Sequence, residues 1–353
     1  MATTRIEWLV RDGLKGKTWN PITGCSKISA GCNNCYAERM SKRLRGRYGY
    51  DAENPFKVTL HKNRIDEPLR WKKPQKVFVC SMGDLFHNDV EDWMLDKIFG
   101  VILGCKIFNN TPDHIFMILT KRPERMCSYL TNKTPVELLK TWANACPWYP
   151  DDPDITVEDL IYSATCRDWD EQGRNSSGSE YKPWGYINKL WPLPNVWLGV
   201  TAENQEMADE RIPILLQIPA AVRFVSVEPM LGPVDLTQLR IDQEPHCEHH
   251  NALTDISTDT PYGYIKHDVP DPLGRGKLDW VICGYESGPK RRPAQIEWVR
   301  DLRSQCVTAN IPFFLKQIEI NAQMVKMPEL DGKVWNQMPE VARNKQAISY
   351  VEV

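Results

Sequence analysis

The stretch KVFVCSMGDLFH, Lys76 to His87, sets a short, mostly apolar β-favouring run directly against a compact turn that carries one glycine and one acid. A run without polar alternation reads as a strand covered on both faces, the pattern of a parallel sheet. The same arrangement recurs along the chain. HIFMIL (114–119) ends in TKRPER, NVWLGV (195–200) in TAEN, VRFVSV (222–227) in EPMLGP, LDWVIC (278–283) in GYESG, and IPFFL (311–315) in KQ. Between most of these runs lie segments such as DWMLDKIFGVIL, NQEMADERIPILLQ and AQIEWVRDLRSQCVTA, whose apolar residues return at helical steps of three and four. Six or seven such units predict an α/β fold: a (β/α) barrel, partial or near-closed, forming a single domain over residues 1–353.

Barrels of this kind carry their chemistry at the carboxyl ends of the strands. Asp84, Thr120, Lys121, Arg122, Thr201, Glu203, Asn204, Ser226, Glu228, Glu286 and Lys316 are therefore expected to converge on one mouth. For each of them a helix cap, a turn or a surface ion pair is the competing explanation. Residues 147–194 and 239–277 are too long for plain connections and read as insertions over the mouth or flank, and 318–353 as a C-terminal extension.

The net charge of −2 over 353 residues excludes a globally basic nucleic-acid coat, so a polyanion would need a local patch. No window approaches eighteen continuous apolar residues and the first residues lack an apolar leader, so no membrane span is expected and the expected location is cytoplasmic. Eleven cysteines in such a chain are expected to be reduced. Cys80, Cys105 and Cys283 lie in apolar runs and read as core.

Three others differ. GCSKISAGCNNCYAERM, Gly24 to Met40, holds Cys25, Cys32 and Cys35 in a C-x(6)-C-x(2)-C spacing, after a first strand expected near 18–23. Thiolates so close together repel unless a cation neutralises them, which points to a metal. A structural zinc is left one ligand short, His61 being the next candidate. A cubane cluster on three cysteines leaves one iron open for a small-molecule cofactor.

Together with VFVCSMGDLF, ILTKRPERM, VWLGVTAENQEMADERIPILLQIPA, RFVSVEPMLGPVDL, DWVICGYESGPKRRP and PFFLKQ, the cysteine stretch resembles a phage- and prophage-borne three-cysteine-motif family related to radical S-adenosylmethionine (SAM) enzymes. The resemblance covers nearly the whole chain apart from the two insertions. It implies a partial barrel, a 4Fe-4S cluster on Cys25, Cys32 and Cys35, S-adenosyl-L-methionine as cofactor, and an electron donor as partner. It departs from the usual radical SAM pattern in its six-residue first gap and in Asn34, which stands where an aromatic is common, with Tyr36 as the substitute. Ser81, Gly83 and Asp84 correspond to the motif that grips the SAM amino group, and Gly284 and Glu286 to the strand along the adenine. Thr201, Glu203 and Ser226 complete the cofactor-facing set. Lys121, Arg122, Glu228 and Lys316 form the candidate catalytic set, the three cations holding an anionic substrate and Glu228 or Ser226 reaching the ribose.

Arg39, Lys42, Arg43, Arg45 and Arg47 follow the cysteines, and Lys290, Arg291 and Arg292 follow the sixth strand. Beside the expected mouth, and with thirteen tryptophans available for stacking, they favour DNA, RNA or a nucleotide as substrate, although such runs are commonly solvated helix faces. His246, Cys247, His249 and His250 in HCEHH lack a partner C-x(2)-C and read as an exposed polar loop, with adventitious zinc as the alternative. Three functions remain open: a radical SAM enzyme acting on nucleic acid or a nucleotide, a non-catalytic nucleic-acid- or protein-binding module with a structural metal, and an iron–sulfur protein without SAM chemistry.

Overall fold

The computed structural model describes residues 4, 6–9, 15–108, 111–148, 190–240, 247–254, 256–259, 267–270 and 276–340. Seven parallel strands follow one another across a single curled sheet: β1 (Lys15–Trp19), β4 (Gln75–Val79), β5 (Ile115–Thr120), β6 (Val196–Thr201), β7 (Val222–Val227), β12 (Trp280–Gly284) and β13 (Phe313–Ile320). An antiparallel strand, β14 (Gln323–Lys326), closes the order. Because the order never reverses, right-handed crossovers leave the helices on one side and the other side concave. The result is an eight-strand half-barrel surrounded by helices.

The sequence places five of these strands to within two residues; the first differs. Strand β1 ends at Trp19, and residues 22–23 form β2 (Ile22–Thr23), a separate strand paired antiparallel with β3 (Thr59–Leu60). Pro21 lies between them; it has no amide hydrogen to give a ladder. The expected helices appear as α2 (Asp92–Ile107), α5 (Gln205–Leu216) and α6 (Ile296–Thr308), and α1 (Tyr36–Leu44), α3 (Pro123–Thr131) and α4 (Pro135–Ala145) join them. Local chemistry starts two of these helices. Thr134 and Glu137 form a capping box that spans Pro135, the first helical residue, and Asn204 caps α5 by accepting from the Met207 amide at 3.0 Å.

The strands are apolar on both faces because each face meets a different core. Val77, Val79, Ile118, Leu198, Val225 and Leu315 pack under the helices. Met117, Trp197, Phe224, Trp280, Ile282 and Phe314 fill the concave side, plugged from below by Trp8. Each large ring takes roughly 150–250 Å² out of water, about 4–6 kcal/mol before entropy is subtracted. Four residues beyond Trp197 on β6 and two beyond Phe224 on β7 the concave side becomes polar, at Thr201 and Ser226, and two beyond Ile282 on β12 it carries only Gly284. The floor is therefore aromatic and the rim polar.

In the second insertion, β8 (Leu239–Arg240), β9 (Cys247–Asn251), β10 (Ile256–Asp259) and β11 (His267–Pro270) make a small antiparallel sheet. HCEHH is thus a strand over Cys247–His250 rather than a polar loop, and His250 is buried. His246 lies outside the described residues, as do 149–189 of the first insertion and 341–353 of the extension. Among the described residues no helix is long and apolar enough to cross a membrane.

Candidate functional site

The cysteine loop leaves the half-barrel at its carboxyl end. Gly24 forms a parallel bridge with Gly83, donating to the Met82 carbonyl at 2.9 Å, and the Cys25 amide donates to Phe56 at 3.1 Å. Side chains would prevent this contact. A Cβ at Gly24, whose φ is +90°, would sit 2.1 Å from the Lys57 carbonyl oxygen, and one at Gly83 would sit 2.7 Å from that of Gly24.

The strand-end acids then fasten the loop. Asp84 accepts from Thr120 Oγ1 at 2.7 Å, the Phe86 amide at 3.0 Å, the Lys121 amide at 3.2 Å and Arg122 Nη1 at 3.0 Å. Arg122 also donates to Cys25 Sγ at 3.3 Å, to the Ser26 carbonyl at 3.1 Å and to Ser26 Oγ at 3.0 Å. Ser26 Oγ lies 2.8 Å from His87 Nε2. His87 Nδ1 accepts from the Asp89 amide at 3.1 Å, so the ring proton sits on Nε2, pointing at Ser26.

Glu203, after β6, is fully buried against Arg211 of α5, at 3.0 Å, and Arg211 also donates to the Thr201 carbonyl at 2.8 Å. The other Glu203 oxygen accepts from the Ser29 hydroxyl and, at 3.1 Å, from the Gly31 amide. Burial alone would raise the Glu203 pKa; the Ser29 hydroxyl and the charges of Lys121 and Arg211 outweigh it, and the pKa lies below the ordinary value. Glu286, after β12, receives Arg292 through its amide (2.8 Å) and guanidinium (Nε, 2.9 Å), and Asn34 Nδ2 at 3.0 Å. Arg292 reaches on to the Ala30 carbonyl at 3.0 Å, and Asn34 to that of Lys290 at 2.8 Å. The Glu286 pKa is likewise lowered, because Arg292 and Asn34 outweigh the effect of burial.

Lys316 is the extra residue of a register shift between β12 and β13, and it pairs with Glu228 across Gly284. Thr201 and Ser226 are buried partners in register on β6 and β7. Ser81 bonds to Asn20 at 3.2 Å, and Tyr36 opens α1 with its side chain exposed. Of the cations expected to hold a substrate, Arg122 and Lys316 are thus paired with acids; among the described residues Lys121 has no carboxylate partner. Asp84, expected to receive an ammonium group, is already met by four donors of this chain.

Cys25, Cys32 and Cys35 are half-buried free thiols. Burial first, then the Asp84 charge, push Cys25 up to about 11 against the pull of Arg122. For Cys32 burial is outweighed by backbone hydrogen bonds at Ile28 and Ser29, the Lys121 charge and the Ser29 hydroxyl, and the pKa is lowered. Among the described residues, no three His, Cys, Asp or Glu side chains are gathered about one point as for a metal ion.

Arg211, Ser26, Ser29, Gly31 and His87 were not singled out by sequence. Arg211 carried a signal: it falls on the buried stripe of α5 with Ala208, Ile212 and Leu215, where a charge requires a partner. No curated protein and no solved structure matches the chain. One family does, described as "Protein of unknown function (DUF5131)", and its match runs over residues 3–339. The chain, matched over nearly its whole length, belongs to that family.

Proposed function

We propose that the protein is a radical SAM-like iron–sulfur enzyme that modifies or repairs a nucleic acid or nucleotide by radical hydrogen abstraction. One observation carries this reading: the loop bearing Cys25, Cys32 and Cys35 is tied by acid–base pairs to strand ends across the half-barrel, at the buried pairs Asp84–Arg122 and Glu203–Arg211 and the part-buried pair Glu286–Arg292. A loop with no task at the mouth would not need three such anchors.

The chemistry of the donor set fits a thiolate-held cluster. Three free thiols lie within eleven residues and Arg122 already donates to the sulfur of Cys25; burial raises the pKa of Cys25, while that of Cys32 is lowered. Cys25, Cys32 and Cys35 would hold the cluster, whose one-electron reduction of SAM would supply the radical for hydrogen abstraction from the substrate. The chain's own residues orient and seal. Arg122 balances charge at Cys25, Asn34 and Glu286 fix the last turn before α1, and the aromatic floor around Trp280 excludes water from below. Thr201, Ser226, Lys121 and the Glu228–Lys316 pair, at the carboxyl ends of their strands, would face the ligand.

A second reading, a non-catalytic binding module with a structural metal, is favoured by the pairing of the strand-end charges with one another. Anaerobic reconstitution separates the two. Iron and sulfide with 5'-deoxyadenosine formed on reduction with SAM supports the enzyme; zinc without iron sinks it in favour of the module. Iron without SAM cleavage, even with DNA or RNA present, leaves an iron–sulfur protein and also overturns the enzyme.

A further inference from the structure

We infer that α1 and the turn after it form a track for single-stranded nucleic acid along the rim of the mouth. The inference deepens the proposed reading by naming the form of the substrate.

Two basic runs about 250 residues apart meet there. Asn34 Nδ2 bonds the Lys290 carbonyl at 2.8 Å, and the Arg39 guanidinium lies so close over Gly288 that a Cβ would sit 2.3 Å from Nη1. Of the nearby acids, Glu38 is engaged with Lys27 at 3.3 Å and Lys42 at 2.8 Å, Glu286 with Arg292, and Glu319 with Arg291, whereas Asp51 and Glu53 form no ion pair among the described residues. Asp51 accepts from the amides of Glu53 and Asn54. Among the described residues Arg39, Arg43, Arg45, Arg47 and Lys290 have no carboxylate partner, a local surplus in a chain whose net charge is −2.

Two tyrosines flank this charge. Tyr36 is 56% exposed and Tyr48 73%. Tyr48 stands in the left-handed region, φ 53°, where asparagine or glycine would be less strained. The turn that holds it is built: Gly46 N bonds Tyr50 O at 3.1 Å, Arg47 N bonds Leu44 O at 2.9 Å, and Arg64 Nη2 bonds Tyr48 O at 2.5 Å. An exposed ring on a strained, well-held backbone next to Arg47 is a platform for a flat ligand. Unpaired bases offer such a face and phosphates meet the arginines, whereas a duplex hides its base faces. An anionic membrane would want more apolar surface than Ile28 supplies.

The test is fluorescence anisotropy of the full chain with a labelled oligo(dT) 20-mer, a duplex of equal length and phosphatidylserine vesicles. The expected result is preference for the single strand. With about four phosphates neutralised, affinity falls about 50-fold from 50 to 200 mM salt. Arg43→Gln/Arg45→Gln/Arg47→Gln weakens binding and flattens the salt slope. Tyr48→Asn weakens it about tenfold while leaving the thermal midpoint equal or higher, a combination that a structural role for the ring would not give. No binding at 50 mM salt, equal binding of duplex or vesicles, or full affinity in these variants at unchanged melting would each overturn the inference. The assay needs neither metal nor SAM. Cleavage of SAM without oligonucleotide binding would remove this inference alone, and binding without SAM cleavage would remove only the enzymatic reading.

Discussion

The guanidinium of Arg122, on the loop after β5, lies 3.0 Å from the carboxylate of Asp84, on the loop after β4, and each side chain is less than a tenth exposed. Removing one partner leaves the other charge buried and uncompensated. Arg122→Gln should cost about 3–5 kcal/mol in urea unfolding. The double variant with Asp84→Asn should lose clearly less than the sum of the two single losses. Additive losses would mean that the pair does not act as a unit.

Gly31 is sterically matched to Glu203. A Cβ there would sit 2.8 Å from Glu203 Oε1, and that carboxylate is held from behind by buried Arg211. Gly31→Ala should destabilise by about 1–3 kcal/mol and displace the cysteine loop. The thermal midpoint and the rate at which a thiol reagent labels Cys32 should change together. An unchanged midpoint and labelling rate would show that the anchor is slack.

Two glycines on the concave side should respond in opposite ways. At Gly199 a Cβ would meet the Phe224 ring at 2.5 Å, so Gly199→Ala should cost about 1–3 kcal/mol in unfolding experiments. At Gly284 the nearest atoms, Glu228 Cδ and Lys316 Cβ, lie at 3.5 Å, an ordinary contact. Gly284→Ala should leave stability within about 1 kcal/mol while narrowing the rim, so any SAM-dependent turnover should fall. Unchanged turnover would place the ligand elsewhere.

Acid should weaken the fold through His114. Its Nδ1 accepts from the Gln75 amide at 3.1 Å and its Nε2 faces the Pro68 carbonyl at 3.1 Å, a pairing that suits the neutral ring with its proton on Nε2. Burial lowers its pKa to about 4, and burial lowers that of His61 to about 4 as well. The folded chain therefore binds fewer protons than the unfolded one between the ordinary value of 6.5 and 4. Stability from these rings is complete above pH 6.5 and is lost as pH falls to about 4, on the order of 2–3 kcal/mol for His114. Urea midpoints across that range check it, and His114→Gln should flatten part of the slope.

The half-barrel was legible because each strand is apolar on both faces and ends in a polar turn, a pattern local to a dozen residues. The rim residues were legible for the same reason: Asp84, Arg122, Glu203, Glu286 and Lys316 all reach the carboxyl end of the sheet. Their partners were not. Whether Arg122 meets a ligand or Asp84 depends on the spacing of adjacent strand ends, which no short window encodes. The first strand was misplaced because the expected range ran across Pro21, into a segment that pairs with β3 instead. The HCEHH strand escaped because four polar residues in five hide the alternation that only its neighbours β8 and β10 reveal.

The anchors of the cysteine loop also set an order of assembly. Ser29 and Gly31 lie 174 and 172 residues before Glu203, and Asn34 lies 252 before Glu286. At roughly 5–20 residues per second of synthesis, the cysteines wait about 10–50 s for the last of these acids to be made. They leave the ribosome well before the acids that fix them, so a truncated nascent chain ending before β12 carries the thiols on a loop that has not yet been closed.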